Sequence, residues 1–209
     1  EKLKKKAEKL LRKADGYVFL TEQMNEKVNK DNKPFLIMEG LSDSQITPVP
    51  QDERTENTSG VKEIIYAGGV FSMYGLPELV NGFIKANVKD AVLKIYGDGD
   101  YVGQLKQIAD KTSNILYMGV KSNNEVVEDE KRAALLINPR PTQKEFTKYS
   151  FPSKNMEYMA SYTPVLTTAL PGMPEEYKQY VYLIDGDGEN DIANAIKRTI
   201  NNFSWLHIK

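Results

Sequence analysis

The chain contains no cysteine and a single histidine, His207. Without cysteine a disulfide framework and thiol catalysis are excluded, and the composition suits a reducing, cytoplasmic compartment. One histidine gives a His-based triad or a multi-histidine metal site nothing to be built from. No run approaches the roughly 20 apolar residues that span a bilayer, and no signal-peptide pattern is present, so the chain is expected to be soluble. Charge of one sign is not in excess either: Lys+Arg 28 against Asp+Glu 29 gives no general attraction to nucleic acid. What is present, 209 residues with 40% hydrophobic and 27% charged, can bury one good core, or at most one domain and an incomplete neighbour.

From residue 63 onward short apolar runs alternate with longer amphipathic ones. Residues 63–67 (EIIYA), 92–96 (VLKIY), 115–118 (ILYM), 133–138 (AALLIN), 164–167 (PVLT) and 181–184 (VYLI) have the length of buried strands. Helix-length stretches lie between them at 76–86, 101–111, 123–132, 151–161 and 189–201. Regular alternation predicts βαβ units: an α/β fold with a Rossmann-like parallel sheet covered by helices on both faces. Ligands of such sheets bind at the carboxyl ends of the strands, where the loops hold Gly68-Gly69, Gly97-Asp98-Gly99, Gly119, Asn138-Pro139-Arg140 and Pro171-Gly172.

Before residue 63 the chain has a different character. Residues 1–14 predict a basic helix with Leu3, Ala7, Leu10, Leu11 and Ala14 on one face, followed by a strand at 17–21, a helix at 22–31 and a strand at 35–38. The segment 48–61 has almost no large apolar residue and predicts a flexible surface loop. A chain that opens in mid-helix is expected to be a piece of a longer protein.

The most informative stretch is 151–165 (FPSKNMEYMASYTPV). Pro152 and Ser153 suit a helix N-terminus, Met156, Met159 and Ala160 can face a core, and Thr163-Pro164 stops the helix. First-turn amides, unpaired within the helix, point toward the mouth of the sheet with a partial positive charge suited to phosphate. Glu157, in the second turn, can accept two hydrogen bonds from a vicinal diol such as a ribose. An ordinary helix with one exposed glutamate fits the same spacing. Arg140, at the end of a strand, and Lys154, in the first helical turn, stand at the same edge, and some of the neighbouring charge, Lys144 and Lys148 included, fits an ordinary surface as well. Tyr149, Tyr158 and Tyr162 are irregularly spaced and predict packing rather than a stacking platform for bases.

The turn Ala67-Gly68-Gly69-Val70 follows a strand and leads to a helix beginning near Gly75, which lets backbone amides approach a diphosphate. It is neither the G-x-G-x-x-G of a dinucleotide fold nor a P-loop, and a tight turn without a ligand fits it too. Gly97-Asp98-Gly99-Asp100 predicts a turn with Asp100 as a helix N-cap rather than a metal site.

Taken in order, YAGGVFSMYGLPELVNGF, LKIYGDGDY, ILYMGV, LLINPR and FPSKNMEYMASYTPVLTT resemble the C-terminal domain of a retaining GT-B glycosyltransferase of family 4, group 1. The similarity extends over residues 62–201, and residues 14–43 resemble the end of the preceding acceptor domain with its link. The resemblance implies three parts: 1–47 as the tail of the acceptor domain and interdomain link, 48–61 as a loop, and 62–209 as the donor-binding domain. The family motif has two glutamates eight positions apart, the first beside the donor sugar and the second on the ribose hydroxyls. Glu157 takes the second place and Tyr149 falls at the first, with Glu145 four residues earlier as a substitute, so Glu145 and Tyr149 are the catalytic candidates. An arginine and a lysine that follow the glycine turn in the family are replaced here by Gly69 and Tyr74. Arg140 and Lys154, with the amides of Gly68, Gly69 and Ser153, are then expected to neutralise the diphosphate. The base is implied to lie against Met118-Gly119-Val120, with Gly97 on the same edge of the donor site.

The activity implied is metal-independent transfer of a sugar from a nucleotide-sugar donor, expected to be UDP-linked, to a glycan or lipid-linked glycan acceptor in bacterial O-antigen or capsule biosynthesis. Neither a D-x-D motif nor a histidine cluster is present, and no cofactor is implied. The isolated chain, without the rest of the acceptor domain, is expected to be inactive or slow. Two other readings remain open: a nucleotide-sugar-binding module without catalysis, suggested by Gly69, Tyr74 and Tyr149, and a sugar-nucleotide epimerase of the same architecture. Residues 1–13, with seven positive and two negative side chains, read either as a solvated helix or as a contact with anionic lipid at the inner membrane.

Overall fold

Residues 2–41 and 60–201 are described by the structure, a computed structural model. The predicted loop at 48–61 lies outside the described residues except for its last two positions. The first part holds helix α1 (Lys2–Leu11), strand β1 (Tyr17–Phe19), helix α2 (Glu22–Val28) and strand β2 (Phe35–Ile37), with the two strands paired in parallel. β1 stops before the predicted Thr21 because that residue leaves the strand to cap α2, its hydroxyl accepting the Met24 amide at 3.2 Å.

The second part alternates strand and helix. Its strands are β3 (Lys62–Ala67), β4 (Ala91–Tyr96), β5 (Ile115–Gly119), β6 (Leu135–Asn138), β7 (Val165–Thr168) and β8 (Tyr182–Ile184), all parallel in one six-stranded sheet of order β5-β4-β3-β6-β7-β8. The central strands β6 and β7 are buried at every residue, because helices cover both faces and no side of the pleat meets water. One face carries α3 (Leu76–Ala86), α4 (Val102–Ala109) and α7 (Glu189–Asn201) over Ile64, Leu93, Leu135 and Ile137. The other carries α5 (Asn123–Arg132) and α6 (Ser153–Ala160) over Ile65, Ala67, Leu136 and Val165. Gly82 lets α3 and α7 close together, since a Cβ there would sit 2.8 Å from Ile192 Cγ2.

Helices α3, α5 and α7 match their predicted bounds, and α5 begins with a capping box between Ser122 and Glu125. Two expectations need correction. Ala133, predicted as the start of a strand, is the C-cap of α5. Asp100 does not cap α4, whose N-cap is Tyr101; its Oδ1 instead accepts from the amide (2.7 Å) and hydroxyl (3.1 Å) of Ser72, joining the β3 and β4 loops. On α6 Asn155 and Tyr158 are fully buried, Met159 is partly buried against the core as expected, and Met156 and Ala160 are partly buried.

The chain builds outward from β3 to β5, then returns across to β6 and builds outward the other way. Loops leaving β3 and β6 therefore diverge, and a crevice opens between their carboxyl ends at Ala67 and Asn138.

Candidate functional site

α6 is fixed at this crevice by polar groups that a core would otherwise reject. The Tyr158 hydroxyl, fully buried, accepts the Ala67 amide at 2.7 Å and donates to the Ala67 carbonyl at 3.3 Å, tying the helix to the last residue of β3. Burial pushes its pKa well up, so it remains a phenol. At the start of the helix Asn138 Nδ2 donates to Asn155 Oδ1 (2.6 Å), Asn155 Nδ2 to Thr167 Oγ1 (3.3 Å), and Thr167 Oγ1 to the Asn138 carbonyl (2.9 Å). This closed ring holds the α6 N-terminus against β6 and β7, and each group in it is satisfied.

A cleft of about 210 Å³ opens at the sheet edge and is lined by Gly68, Gly97, Val120, Lys121, Asn123 and Lys154, among others. Lys154 reaches Glu157 Oε1 at 2.5 Å, so the first two turns of α6 present an ammonium and a carboxylate together. Both side chains are about one-quarter exposed, which leaves them open to a ligand. Ser153, the first helical residue, is exposed.

The glycine turn joins this cleft to a second group. Gly68 lines the cleft, while the Tyr74 ring packs on Gly69 and is itself covered by Arg140, whose guanidinium carbon lies 3.7 Å from the ring centroid. Arg140 Nε is buried and has no hydrogen-bond partner. The Tyr66 hydroxyl donates to the Gly69 carbonyl at 2.8 Å; burial raises its pKa to about 12, against an opposing effect of Arg140. Gly97, at φ 126°, is required by close approach, because a Cβ would overlap the Gly68 carbonyl oxygen.

The predicted residues are thus divided. Gly68, Gly97, Val120 and Lys154 line the cleft, Glu157 is joined to it through Lys154, and Gly69, Tyr74 and Arg140 form the second group beyond the glycine turn. Met118 lies in a neighbouring depression with Tyr96 and Lys121. One correction concerns a backbone donor: the Gly68 amide is committed to the Tyr96 carbonyl at 3.1 Å and cannot also serve a phosphate. Glu145 and Tyr149, on the 3-10 turn Glu145–Tyr149, face the N-terminal part: Lys27 of α2 sits 3.6 Å from the Tyr149 ring centroid and 3.4 Å from Glu145 Oε1. The hydrogen bond with Tyr149 is the main reason the Lys27 pKa is raised.

Two participants escaped the sequence reading. Lys27 looks like any lysine on a short polar helix. Glu130 is fully buried on α5, both carboxylate oxygens without a hydrogen-bond partner and Oε1 3.6 Å from Lys154 Nζ. Its available signal was phase: it follows Val126 by one helical turn, on the apolar stripe. Among the described residues no three His, Cys, Asp or Glu come together to hold a metal ion, and no helix is long and apolar enough to cross a membrane.

Residues 61–202 match the family model of the Glycosyl transferases group 1. No curated protein sequence matches the chain. Among solved structures, a mutant of TarM from S. aureus, in complex with fondaparinux, alpha-GlcNAc-glycerol and UDP, is similar with a TM-score of 0.73 and 17% identity, covering 99% of this chain and 41% of that one. HepE of Anabaena, in complex with UDP and glucose, gives 0.70 and 12%, with coverage of 90% and 54%. The C-terminal domain of a group 1 family protein, LpcC of Francisella tularensis, gives 0.63 and 15%, with coverage of 80% and 91%. At these identities the likeness establishes the fold, a Rossmann-like domain of the GT-B type. The chain spans about half or less of the length of TarM and HepE.

Proposed function

This chain belongs to the group 1 glycosyl transferases, and we propose that it supplies the donor-binding part of an enzyme transferring a sugar from a UDP-linked donor to a glycan or lipid-linked glycan. Retention of configuration, independence from metal, and a place in bacterial surface polysaccharide assembly at the cytoplasmic side of the membrane belong to the same proposal. So does the division into an acceptor-domain tail and link, a loop and a donor domain.

The observation that carries the reading is the placing of a stacked guanidinium with an unpartnered Nε, Arg140, on the loop after β6, and of a paired ammonium and carboxylate, Lys154 and Glu157, in the first two turns of α6. Transfer breaks the bond between the sugar C1 and the diphosphate oxygen and forms one between C1 and an acceptor hydroxyl oxygen, which gives up its proton. Negative charge grows on the departing diphosphate, and fixed cations stabilise that charge more than they stabilise the intact donor. Arg140 and Lys154 take this role, with the amides of Gly69 and Ser153. Glu157 accepts hydrogen bonds from the ribose hydroxyls. UDP in the TarM and HepE structures supports UDP as the nucleotide.

Calorimetric titration of the chain with UDP, GDP and ADP tests the reading. UDP is expected to bind tightest, and absence of binding by all three nucleotides would overturn it. A non-catalytic nucleotide-sugar-binding module is the second reading, favoured by one observation: Tyr149 and Glu145 are engaged by Lys27. Turnover of a UDP-sugar by the enzyme containing a complete acceptor domain would exclude it.

A further inference from the structure

Glu130 is a carboxylate with no evident structural task. It lies on the inner face of α5, is fully buried, and neither oxygen has a hydrogen-bond partner. Its place is nevertheless closely determined, since the Thr163 hydroxyl donates to its backbone carbonyl at 2.8 Å and fixes that turn of α5 against the end of α6. The nearest cation is Lys154, the residue that lines the cleft and pairs with Glu157.

Building on the donor-site reading above, we propose that Glu130 is a positioning residue: from beneath α6 it holds Lys154 at the cleft wall and sets how much positive charge that lysine offers a diphosphate. The bookkeeping of charge is simple. With Glu130 ionised, one ammonium faces two carboxylates and the cluster carries a net negative charge. With a proton on Glu130 the cluster is neutral, and Lys154 can turn part of its charge toward an anion. Burial favours the protonated form and Lys154 opposes it, while the Glu157 carboxylate adds to the effect of burial, raising the Glu130 pKa to about 8. The other groups that face it are Tyr158 on α6 and Tyr96 on β4, whose hydroxyl is held by Asp129 at 2.5 Å. Both phenols are themselves pushed up by burial, so neither changes charge in the range where Glu130 does.

Two consequences are measurable. Diphosphate affinity falls as Glu130 ionises, and by reciprocity an arriving diphosphate raises the proton affinity of Glu130, so binding takes up protons. UDP is titrated into the chain by calorimetry between about pH 7 and about pH 9, in buffers of different ionisation enthalpy. Wild type is expected to lose affinity roughly five-fold across this range and to take up a fraction of a proton near pH 8. Glu130→Gln, matched in size and without charge, is expected to bind with the same affinity throughout and to take up none. Comparison at each pH cancels the ionisation of UDP itself. If wild type binds UDP but its pH profile and proton uptake are shared by Glu130→Gln, the role of Glu130 is overturned while the donor site stands. No binding by wild type at any pH overturns both. Should Glu130→Gln fail to fold, the wild-type proton uptake alone decides, zero uptake being the overturning result.

Discussion

Arg140 stacks on Tyr74, its guanidinium carbon 3.7 Å from the ring centroid, although the two residues lie on different loops of the sheet. The family resemblance implies that Tyr74 stands where the motif carries lysine. We propose that Arg140, which comes from the opposite side of the crevice, is held flat by the ring and is left with Nε unpartnered, supplies the positive charge there. Arg140→Ala is expected to weaken UDP binding about ten-fold or more, which corresponds to roughly the 1.5–3 kcal/mol of a charged hydrogen bond. Tyr74→Phe keeps the aromatic face and should remain within about two-fold of wild type, whereas Tyr74→Ala releases the guanidinium and should resemble Arg140→Ala. Unchanged affinity in Arg140→Ala, measured by calorimetry, would remove Arg140 from the site.

Glu157 is predicted to read the ribose. Wild type should prefer UDP over 2′,3′-dideoxy-UDP, and Glu157→Ala should lose most of that preference, a change of about ten-fold. The double comparison isolates the diol contact from the coupled loss at Lys154, which would affect both nucleotides alike. Equal discrimination by wild type and variant would place the diol elsewhere.

Tyr158→Phe removes both hydrogen bonds to Ala67 and leaves a buried backbone amide without its partner. Chemical denaturation is expected to show a loss of about 1–3 kcal/mol, with an unchanged dependence on denaturant. UDP affinity should fall as well if the α6 N-terminus is set by this anchor.

Stability itself should report Glu130. Its folded pKa, about 8, lies above the usual carboxylate value of 4.5. The favourable contribution of the buried neutral form is complete below the lower value and is lost as pH rises toward the upper one, at up to about 1.4 kcal/mol per pH unit. Glu130→Gln should therefore gain stability relative to wild type from about pH 5 to about pH 8 and hold a constant margin above. A margin independent of pH, followed by denaturant midpoints, would show that the carboxyl group does not titrate in this range.

α1 offers a test of membrane association. Leu3 and Leu10 are 83% and 57% exposed on a helix otherwise rich in lysine, a surface suited to the interface of an anionic bilayer. Co-sedimentation with phosphatidylserine vesicles is expected, with loss on raising salt or in a Lys2→Glu, Lys6→Glu, Lys9→Glu triple variant. Equal binding to neutral and anionic vesicles would end the proposal.

Much of the fold was legible because its signals are local. The apolar runs that became β3 to β8 are continuous where helices cover both faces, and the start of α5 coincides with a capping box contained within four residues. Legibility failed where a distant partner competed with a local rule. Asp100 has the spacing of an N-cap, yet the Ser72 amide and hydroxyl of another loop take its carboxylate. Gly68 has the look of a phosphate-binding amide, yet β4 supplies a carbonyl for it. Glu130 sits in the polar stretch NNEVVEDEKR, where its one local signal is the single-turn spacing from Val126, too weak to outweigh its charge before the helices are packed.

The sequence by itself determined the kinds of element, their order and the inventory of chemistry available: one glutamate and one lysine at the start of a helix, an arginine after a strand, no cysteine and one histidine. These follow from periodicity and capping, whose physical range is a few residues. The tertiary structure decided which charge meets which group. Strand order set β3 beside β6 and so brought Arg140 onto Tyr74, while helix packing placed Glu130 beneath Lys154. Electrostatic and stacking interactions depend on distance through space and on burial, and both are created only when the sheet is assembled.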